Sequence, residues 1–599
     1  MRKPTKTSDR RLPWLAALAV LFVVLLVLYL SVLSPFFSAE EEKTTTSRST
    51  IDGESGGLVN GTILLYPQVN RADMHAIRVY QKVSDAPGTY RSYAFLRDAE
   101  DADGDGDTAD FIIEGYAGNT YDEEKFAYLV VDTGHTTALE RLDLGTEESD
   151  VIAAYSRFGL ADDQYPTYFT LELTDGRSYT VYIGNKSPDG NYYARLSGRA
   201  AVYVLYSKLD QSVMAPLTHF VTPSLTFEAD HNYSYIYIRN FSIFRDSAVR
   251  DLFFGGSGDK APDVDITLSP DIMFTYLPSY KRDLYHSTAI YGMLAPNTIY
   301  TPNDTRVDAA LQKLPGLTGS EVLQLGITDR DFAEGGLLSE LLCTLYYEMP
   351  YNVTYDENED PIVGSYIKNV LFITPRGADG SYVVGSLSYR DGEDRTEIFY
   401  NMIARVAADN LSFCEYSLFD WIAPDMFSVS IDNVAQMEFS SARGDYLFRL
   451  IGDGSSDQMV KELYSGFTFT YKPRNTPFSV NDQGYCDDIK QFRNLYMLLL
   501  SLHYSGEIAA DSGMSDSEIA DYMKDDSRCI LSFVMTMEDG RRITYRFYPY
   551  SERHCMVSLS GDGIPTITTF YTLNVGVRRI ADATWQLMHG VEIDPNYRY

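Results

Sequence analysis

From Tyr168 to Leu205 the chain reads YFTLELTDGRSYTVYIGNKSPDGNYYARLSGRAAVYVL, with apolar residues at every second position: Phe169, Leu171 and Leu173, then Tyr179, Val181 and Ile183. A period of two puts these side chains on one face of a strand and the polar ones on the other. Asp175-Gly176 and Asp189-Gly190 break the alternation with the residue pair that suits tight hairpin turns. The stretch predicts an antiparallel meander of two successive hairpins.

The same succession recurs downstream. In the first copy, strand-like runs (Ile63–Leu65, Ile77–Val83, Tyr90–Leu96) precede a helix in which Thr120 and Glu123 form a capping box, Phe126, Leu129 and Val130 share a face, and Gly134 is the stop. In the second, Asn303-Asp304 caps a helix carrying Val307, Ala310, Leu311 and Leu314, which Pro315-Gly316 ends, and Asp379-Gly380 and Asp391-Gly392 mark turns. In the third, Ile489, Phe492, Leu495, Tyr496, Leu499 and Leu500 form the clearest apolar stripe. There Ile519-Ala520-Asp521-Tyr522 matches Ile152-Ala153-Ala154-Tyr155, Asp539-Gly540-Arg541 matches Asp175-Gly176-Arg177, and Leu559-Ser560-Gly561 matches Leu196-Ser197-Gly198. Ala215-Pro216 and Ala423-Pro424 close the first two copies. The expectation is an α+β chain of three tandem modules, each an antiparallel β-meander with one main helix, at 63–225, 226–428 and 429–599.

Ahead of the modules, Leu12 to Leu33 is apolar and uncharged, long enough to cross a hydrocarbon core of about 30 Å as a helix. Arg2, Lys3, Lys6, Arg10 and Arg11 precede it and Glu40, Glu41 and Glu42 follow, an asymmetry that keeps the amino terminus cytoplasmic. A cleaved signal peptide is the alternative, but its apolar region is shorter and Phe36-Phe37 is a poor cleavage site. The reading is a cytoplasmic tail (1–11), a single-pass transmembrane signal anchor (12–33) in the cell membrane and a flexible stalk (34–62) rich in Glu, Thr, Ser and Gly, with the bulk extracytoplasmic. A formal net charge of −34 argues against nucleic acid and anionic lipid surfaces, both of which require clustered Lys and Arg.

The first meander resembles a bacterial family defined as a domain of unknown function, number forty-three-forty. The residues that carry the resemblance, over roughly 120–216, are Phe158-Gly159-Leu160 before an Asp-Gly turn, Tyr182-Ile183-Gly184-Asn185, Gly190-Asn191-Tyr192-Tyr193-Ala194-Arg195 and Val202-Tyr203-Val204-Leu205. The later modules lack the Ile-Gly-Asn element. Such proteins are similar in setting to auxiliary proteins of gliding-motility-type ABC transporters. The resemblance implies a transporter permease and ATPase as partners, and it brings no catalytic residues.

Among candidate sites, Asp101, Asp103, Asp105 and Asp107 with Gly106 supply oxygen ligands in the opening spacing of a calcium loop. Ile112 stands where such a loop has its bidentate Glu, so a solvated acidic hairpin tip is the competing reading. Tyr192 and Tyr193, with Tyr203 nearby, are candidates for a glycan platform, although alternation sends the first two to opposite faces and packing explains them as well. The five cysteines (Cys343, Cys414, Cys486, Cys529, Cys555) show no zinc or redox spacing. Cys529 and Cys555 fall in one late meander, where they either pair or remain buried thiols. No nucleophile elbow, phosphate loop or H-E-x-x-H pattern occurs. The functional expectation is a non-enzymatic, membrane-anchored accessory or scaffold protein of an ABC-transporter-type envelope complex; the alternative is a cell-surface glycan or peptidoglycan binder.

Overall fold

The computed structural model describes residues 53–596, apart from 99–109, 229–233, 255–268, 278–289, 356–360, 391–397, 452–458, 466–469, 473–487 and single positions between them. Its strands form three antiparallel sheets. The first holds β1 Ser55–Gly56, β2 Ile63–Leu64, β3 Met74–Lys82, β4 Tyr90–Arg97, β5 Phe111–Ile113, β6 Thr137–Arg141, β7 Thr167–Leu173, β8 Ser178–Lys186, β9 Tyr192–Leu196 and β10 Tyr203–Leu205. To the second belong β11 Arg239–Phe244, β12 Ile272–Tyr276, β13 Tyr291–Ala295, β14 Glu321–Leu325, β15 Cys343–Tyr355, β16 Pro361–Ile373, β17 Ser381–Arg390 and β18 Ile398–Ala407. The third has β19 Val434–Ser441, β20 Gly444–Ile451, β21 Met459–Ser465, β22 Thr470–Lys472, β23 Gly506–Glu507, β24 Leu531–Met537, β25 Arg542–Pro549, β26 His554–Gly561, β27 Ile564–Ile567 and β28 Phe570–Leu573.

One strand order underlies all three. It runs β6-β10-β9-β8-β7-β3-β4-β5 in the first sheet, β14-β18-β17-β16-β15-β11-β12-β13 in the second and β23-β28-β26-β25-β24-β19-β20-β21 in the third. In each, a closing four-strand meander lies beside the opening strand, and the strand after the main helix pairs with the last strand of that meander.

Alternation sets the faces. Along β7 and β8, Phe169, Leu171, Leu173, Val181 and Ile183 are buried while Tyr168, Thr170 and Tyr182 face outward, half-buried. The Asp-Gly-Arg turns of the first and third sheets are copies of each other. Asp175 Oδ1 accepts from Arg177 N at 3.0 Å and Asp539 Oδ1 accepts from Arg541 N at 3.0 Å, and both glycines sit at φ +87°. Such a φ suits glycine, which has no Cβ to clash.

Two sequence matches are displaced. Asp379-Gly380 joins β16 to β17 and so corresponds to Asp189-Gly190, between β8 and β9, rather than to Asp175-Gly176. Successive hairpins carry the same turn chemistry, so an Asp-Gly pair does not by itself say which hairpin it closes. The helices Glu148–Ala154 and Asp516–Met523 hold the same place in the order, yet Ile152 is 50% exposed and Ile519 is 2% exposed, so the shared tetrapeptide does not share an environment.

The first main helix spans Glu123–Gly134, and its cap is Asp122, not Thr120. Asp122 Oδ1 accepts from the backbone N–H groups of Glu124 and Lys125 at 3.1 and 3.2 Å. Those backbone donors, Lys125 foremost, hold the Asp122 carboxyl below its usual range. Asn303 caps the second helix, Asp304–Leu311, as expected. A carboxyl lowered in the folded state stabilises fully above its unfolded pKa and loses that contribution as pH falls through the folded value. Asp122→Ala should therefore cost about 1 kcal/mol at neutral pH, with the difference shrinking below roughly pH 4, as measured by urea denaturation at both pH values.

The sheets are joined by a clasp that occurs twice. After the first sheet, the short helix Leu217–Phe220 ends so that Phe220 O accepts from Asp122 N at 2.7 Å, and Thr222 N donates to Thr120 O at 3.0 Å. The same segment then reaches the second sheet, where Leu225 N donates to Leu317 O and Pro223 O accepts from Gly319 N, at 2.8 and 2.7 Å. After the second sheet, the short helix Leu418–Trp421 repeats every bond: Asn303 N to Trp421 O, Ala423 N to Thr301 O, Met426 N to Leu502 O and Tyr504 N to Pro424 O. The repeated sequence is Leu217-x-x-Phe220-Val221-x-Pro223 and Leu418-x-x-Trp421-Ile422-x-Pro424. Ala215-Pro216 is not the counterpart of Ala423-Pro424. In the first sheet the slot is filled by the chain's own lead-in, where Leu65 N donates to Thr136 O at 3.0 Å.

Buried side chains from all three sheets form one continuous cluster. Pairing begins at Ser55, inside the stretch whose composition reads as stalk, and the Glu54 carboxylate is nearly buried against Arg141 (2.8 Å) and the Tyr203 hydroxyl (2.7 Å). The expected span Leu12–Leu33 lies outside the described residues. Among the described residues no helix is long and apolar enough to cross a membrane.

Candidate functional site

The outer face of the first sheet carries a row of tyrosines across three neighbouring strands. Register sets Tyr80 of β3 opposite Tyr168 of β7, and Tyr168 opposite Tyr182 of β8. The Tyr80 and Tyr168 rings stack with centroids 4.5 Å apart and planes 12° apart, and Tyr182 follows at 5.4 Å. Tyr90 of β4 closes one side, edge-on to Tyr168 at 5.3 Å. On the other, Arg195 of β9 lies opposite Tyr182, with its guanidinium 3.9 Å above that ring. Arg195 is held there by Leu160 O and by Asp162, whose side chain is 92% exposed.

The helix Glu148–Ala154 and the turn after it cover only part of this face, packing on Tyr182 and Tyr193 and leaving the row beside them half-buried. On the second sheet the equivalent face is covered by the chain itself: the helix Val249–Phe254, inserted between β11 and β12, lays Phe253 on Tyr346 at 5.3 Å. In the first sheet β3 passes to β4 through a hairpin, and no such helix intervenes.

The phenols of Tyr90 and Tyr168 are raised above their ordinary value, first by burial and then by the neighbouring tyrosines. They are neutral donors at physiological pH. Farther along the same face Arg78 bridges Glu114 and Glu172 at 2.8 and 3.0 Å. Stacked rings edged by hydroxyls and carboxylates suit a flat ligand face that also carries hydroxyl groups.

The platform proposed from sequence is not this one. Tyr192 points into the core and donates to Asp210 at 2.7 Å, Tyr203 is fully buried, and Tyr193 lies under Phe158 at 4.8 Å. Tyr80, Tyr168 and Tyr182 were legible only as tyrosines in the polar phase of alternating strands. Asp101, Asp103, Asp105 and Asp107 lie outside the described residues. Among the described residues no group of three or more His, Cys, Asp or Glu could hold a metal ion. His503 and His554 each face a single carboxylate, Asp425 and Asp511, at 3.0 Å.

The quoted Phe-Gly-Leu and Ile-Gly-Asn elements meet beside this face. A Cβ on Gly184 would lie 2.1 Å from Phe158 O, and one on Gly159 would lie 2.5 Å from Asn185 Oδ1. Each glycine makes room for the other's segment.

Residues 135–331 match the family model described as Domain of unknown function (DUF4340). The resemblance seen in the first meander is thus extended along the chain. No curated protein and no solved structure matches. The DUF4340 match opens just before β6 and closes in the helix Asp329–Phe332, just past β14, the strand that takes the place of β6 in the second sheet. It therefore contains the clasp segment 217–225 and its partners Leu317 and Gly319, while Thr120 and Asp122 lie ahead of it. A narrow open cleft of about 290 Å³ sits at this point, lined by Lys125, Thr218, His219, Ser320 and Glu321 among others.

Proposed function

We propose that the chain is a non-catalytic scaffold, anchored to the cell membrane by Leu12–Leu33, whose extracytoplasmic part is three copies of one α+β module and serves an ABC-transporter-type envelope complex. The observation that carries this reading is the clasp. Four backbone hydrogen bonds, repeated at both junctions, fix each sheet to the next, and fixed spacing between recognition surfaces is what a scaffold requires. Copurification from gently solubilised native membranes tests it. A permease and ATPase recovered in stoichiometric amount support the reading, and a clean preparation removes it.

The tyrosine row favours a second reading, binding of envelope glycan. Tyr80→Ala with Tyr168→Ala is expected to cut retention of the full chain on envelope polysaccharide about tenfold, because stacking on each ring is worth roughly 0.5–1.5 kcal/mol. A Tyr192→Phe control should leave retention unchanged. Equal retention by the double variant and the parent ends the glycan reading.

A further inference from the structure

The two clasps repeat their backbone bonds but not their side chains, and the difference falls in the cleft of about 290 Å³ at the first junction. The shared bonds align the junctions residue by residue. Lys125 and Arg306 each stand three positions past the helix cap, Asp122 or Asn303, whose N–H binds the clasp. His219 and Asp420 each precede the aromatic residue whose carbonyl accepts that bond. Ser320 and Ser505 each donate a backbone N–H to the neighbouring strand, to Arg405 O and Tyr571 O, both at 2.8 Å. Two residues further on, Val322 pairs with Ala404 and Glu507 with Phe570, so Val322 stands where Glu507 does.

At the second junction the chain's own carboxylates fill this place. Glu507 Oε1 accepts from Phe419 N at 2.8 Å, and Asp420 pairs with Arg306, whose Nη1 also reaches Asp420 O at 2.9 Å. At the first junction Thr218 replaces Phe419, His219 replaces Asp420 and Val322 replaces Glu507. Among the described residues, neither Thr218 N nor a ring nitrogen of His219 has a hydrogen-bond partner. Lys125 has Asp122 at 3.4 Å, but that carboxylate is already engaged in capping its own helix. Glu321, also in the lining, is drawn to Arg405 at 3.6 Å. Burial and then Lys125 hold His219 below its ordinary value, which makes its ring a neutral donor.

We infer that the first clasp is a binding site for a carboxylate on a short apolar stem, seated as Glu507 is in the second, with the Thr218 N–H, the His219 ring and the Lys125 ammonium as donors. A carboxylate accepts several such bonds at once, and the charged ones are the strongest. Pro216, Val221, Pro223 and Val322 line the rest of the cleft and suit the stem. A free small acid and the glutamyl side chain of another protein offer the same chemistry. The inference depends on neither the transporter nor the glycan reading.

Saturation-transfer NMR on the detergent-solubilised full chain tests it, with butyrate as the free acid, acetyl-Ala-Glu-Ala-amide as the side-chain form and butyramide as the uncharged match. The expected result is transfer to a carboxylate probe and none to butyramide. Comparable binding of butyrate and peptide identifies a free acid as sufficient; a peptide bound about tenfold tighter identifies a protein side chain. Lys125→Met, at a half-exposed surface position, should weaken binding about tenfold through loss of one charge-assisted bond. Val322→Glu should abolish binding, because the chain then supplies its own carboxylate as it does with Glu507. Val322 is buried, so if that variant does not fold, Lys125→Met decides. No transfer to either carboxylate at about 10 mM, a level that detects even weak binding, overturns the inference. Equal transfer to butyramide, or a Lys125→Met chain that binds as the parent does, also overturns it.

Discussion

Trp421→Ala is expected to destabilise the chain by about 4 kcal/mol, the largest single effect foreseen among substitutions in the core. Trp421 is fully buried and its ring meets Phe241, Phe274, Phe413 and Tyr416 at 5.3–6.2 Å. Truncation leaves a cavity between β11, β12 and the second clasp, which the surrounding strands, held by their ladders, cannot close. The damage is not confined to packing. Trp421 O is the acceptor for Asn303 N, the cap of the second main helix, so a shift of the backbone here loosens the helix and the junction together. Trp421→Phe separates the two contributions. The indole N–H has no hydrogen-bond partner among the described residues, so Phe gives up ring area without losing a bond. Phe220 already occupies the equivalent position in the first clasp. Equilibrium urea denaturation should show a large loss for Ala and a small one for Phe; equal losses would mean that the indole itself, and not ring packing, is what the site requires.

Gly184→Ala is expected to cost about 3 kcal/mol through a different route, overpacking. The added Cβ would stand 2.1 Å from Phe158 O and 2.9 Å from Leu160 Cγ, contacts that real side chains do not make. One of the two is backbone, so relief requires moving the turn that carries Phe158-Gly159-Leu160. That turn supplies Leu160 O to Arg195, and Arg195 caps the tyrosine row. The substitution should therefore lower stability and weaken any ligand that stacks on Tyr182, whereas Gly176→Ala, at a position with open space around it, should act only through its positive φ. Thermal melting of both variants checks this. A Gly184→Ala chain as stable as the parent would mean the segment can retreat at no cost.

These expectations also show why part of the family resemblance was legible and part was not. The Phe-Gly-Leu and Ile-Gly-Asn elements could be read as a signature, but their reason is a contact between residues more than twenty positions apart. The clasp went unread because its repeated positions are scattered apolar residues with one proline, and Ala215-Pro216 made a closer literal match to Ala423-Pro424. Likewise Asp379-Gly380 reads as a turn without showing that it joins β16 to β17. A turn signal fixes a local backbone geometry and carries no information about which pair of strands it joins.

What the chain determined by itself is local. Period-two alternation set which side of β7 and β8 is apolar, Asp-Gly-Arg set its turns through φ and an aspartate hydrogen bond, and Asn303 set a helix start; each needs only a few consecutive residues. The tertiary structure decided what depends on other segments. It gave the common strand order and the clasp between sheets, and it put β25 between Cys529 and Cys555, which excludes their pairing. It also decided the candidate site. Tyr80, Tyr168 and Tyr182 lie in the polar phase of their strands, but only the register aligns them in a row, and among the described residues no helix such as Val249–Phe254 is inserted between β3 and β4 to cover that row. Alternation fixes the side toward which a residue points; what, if anything, covers that side is settled by chain from elsewhere.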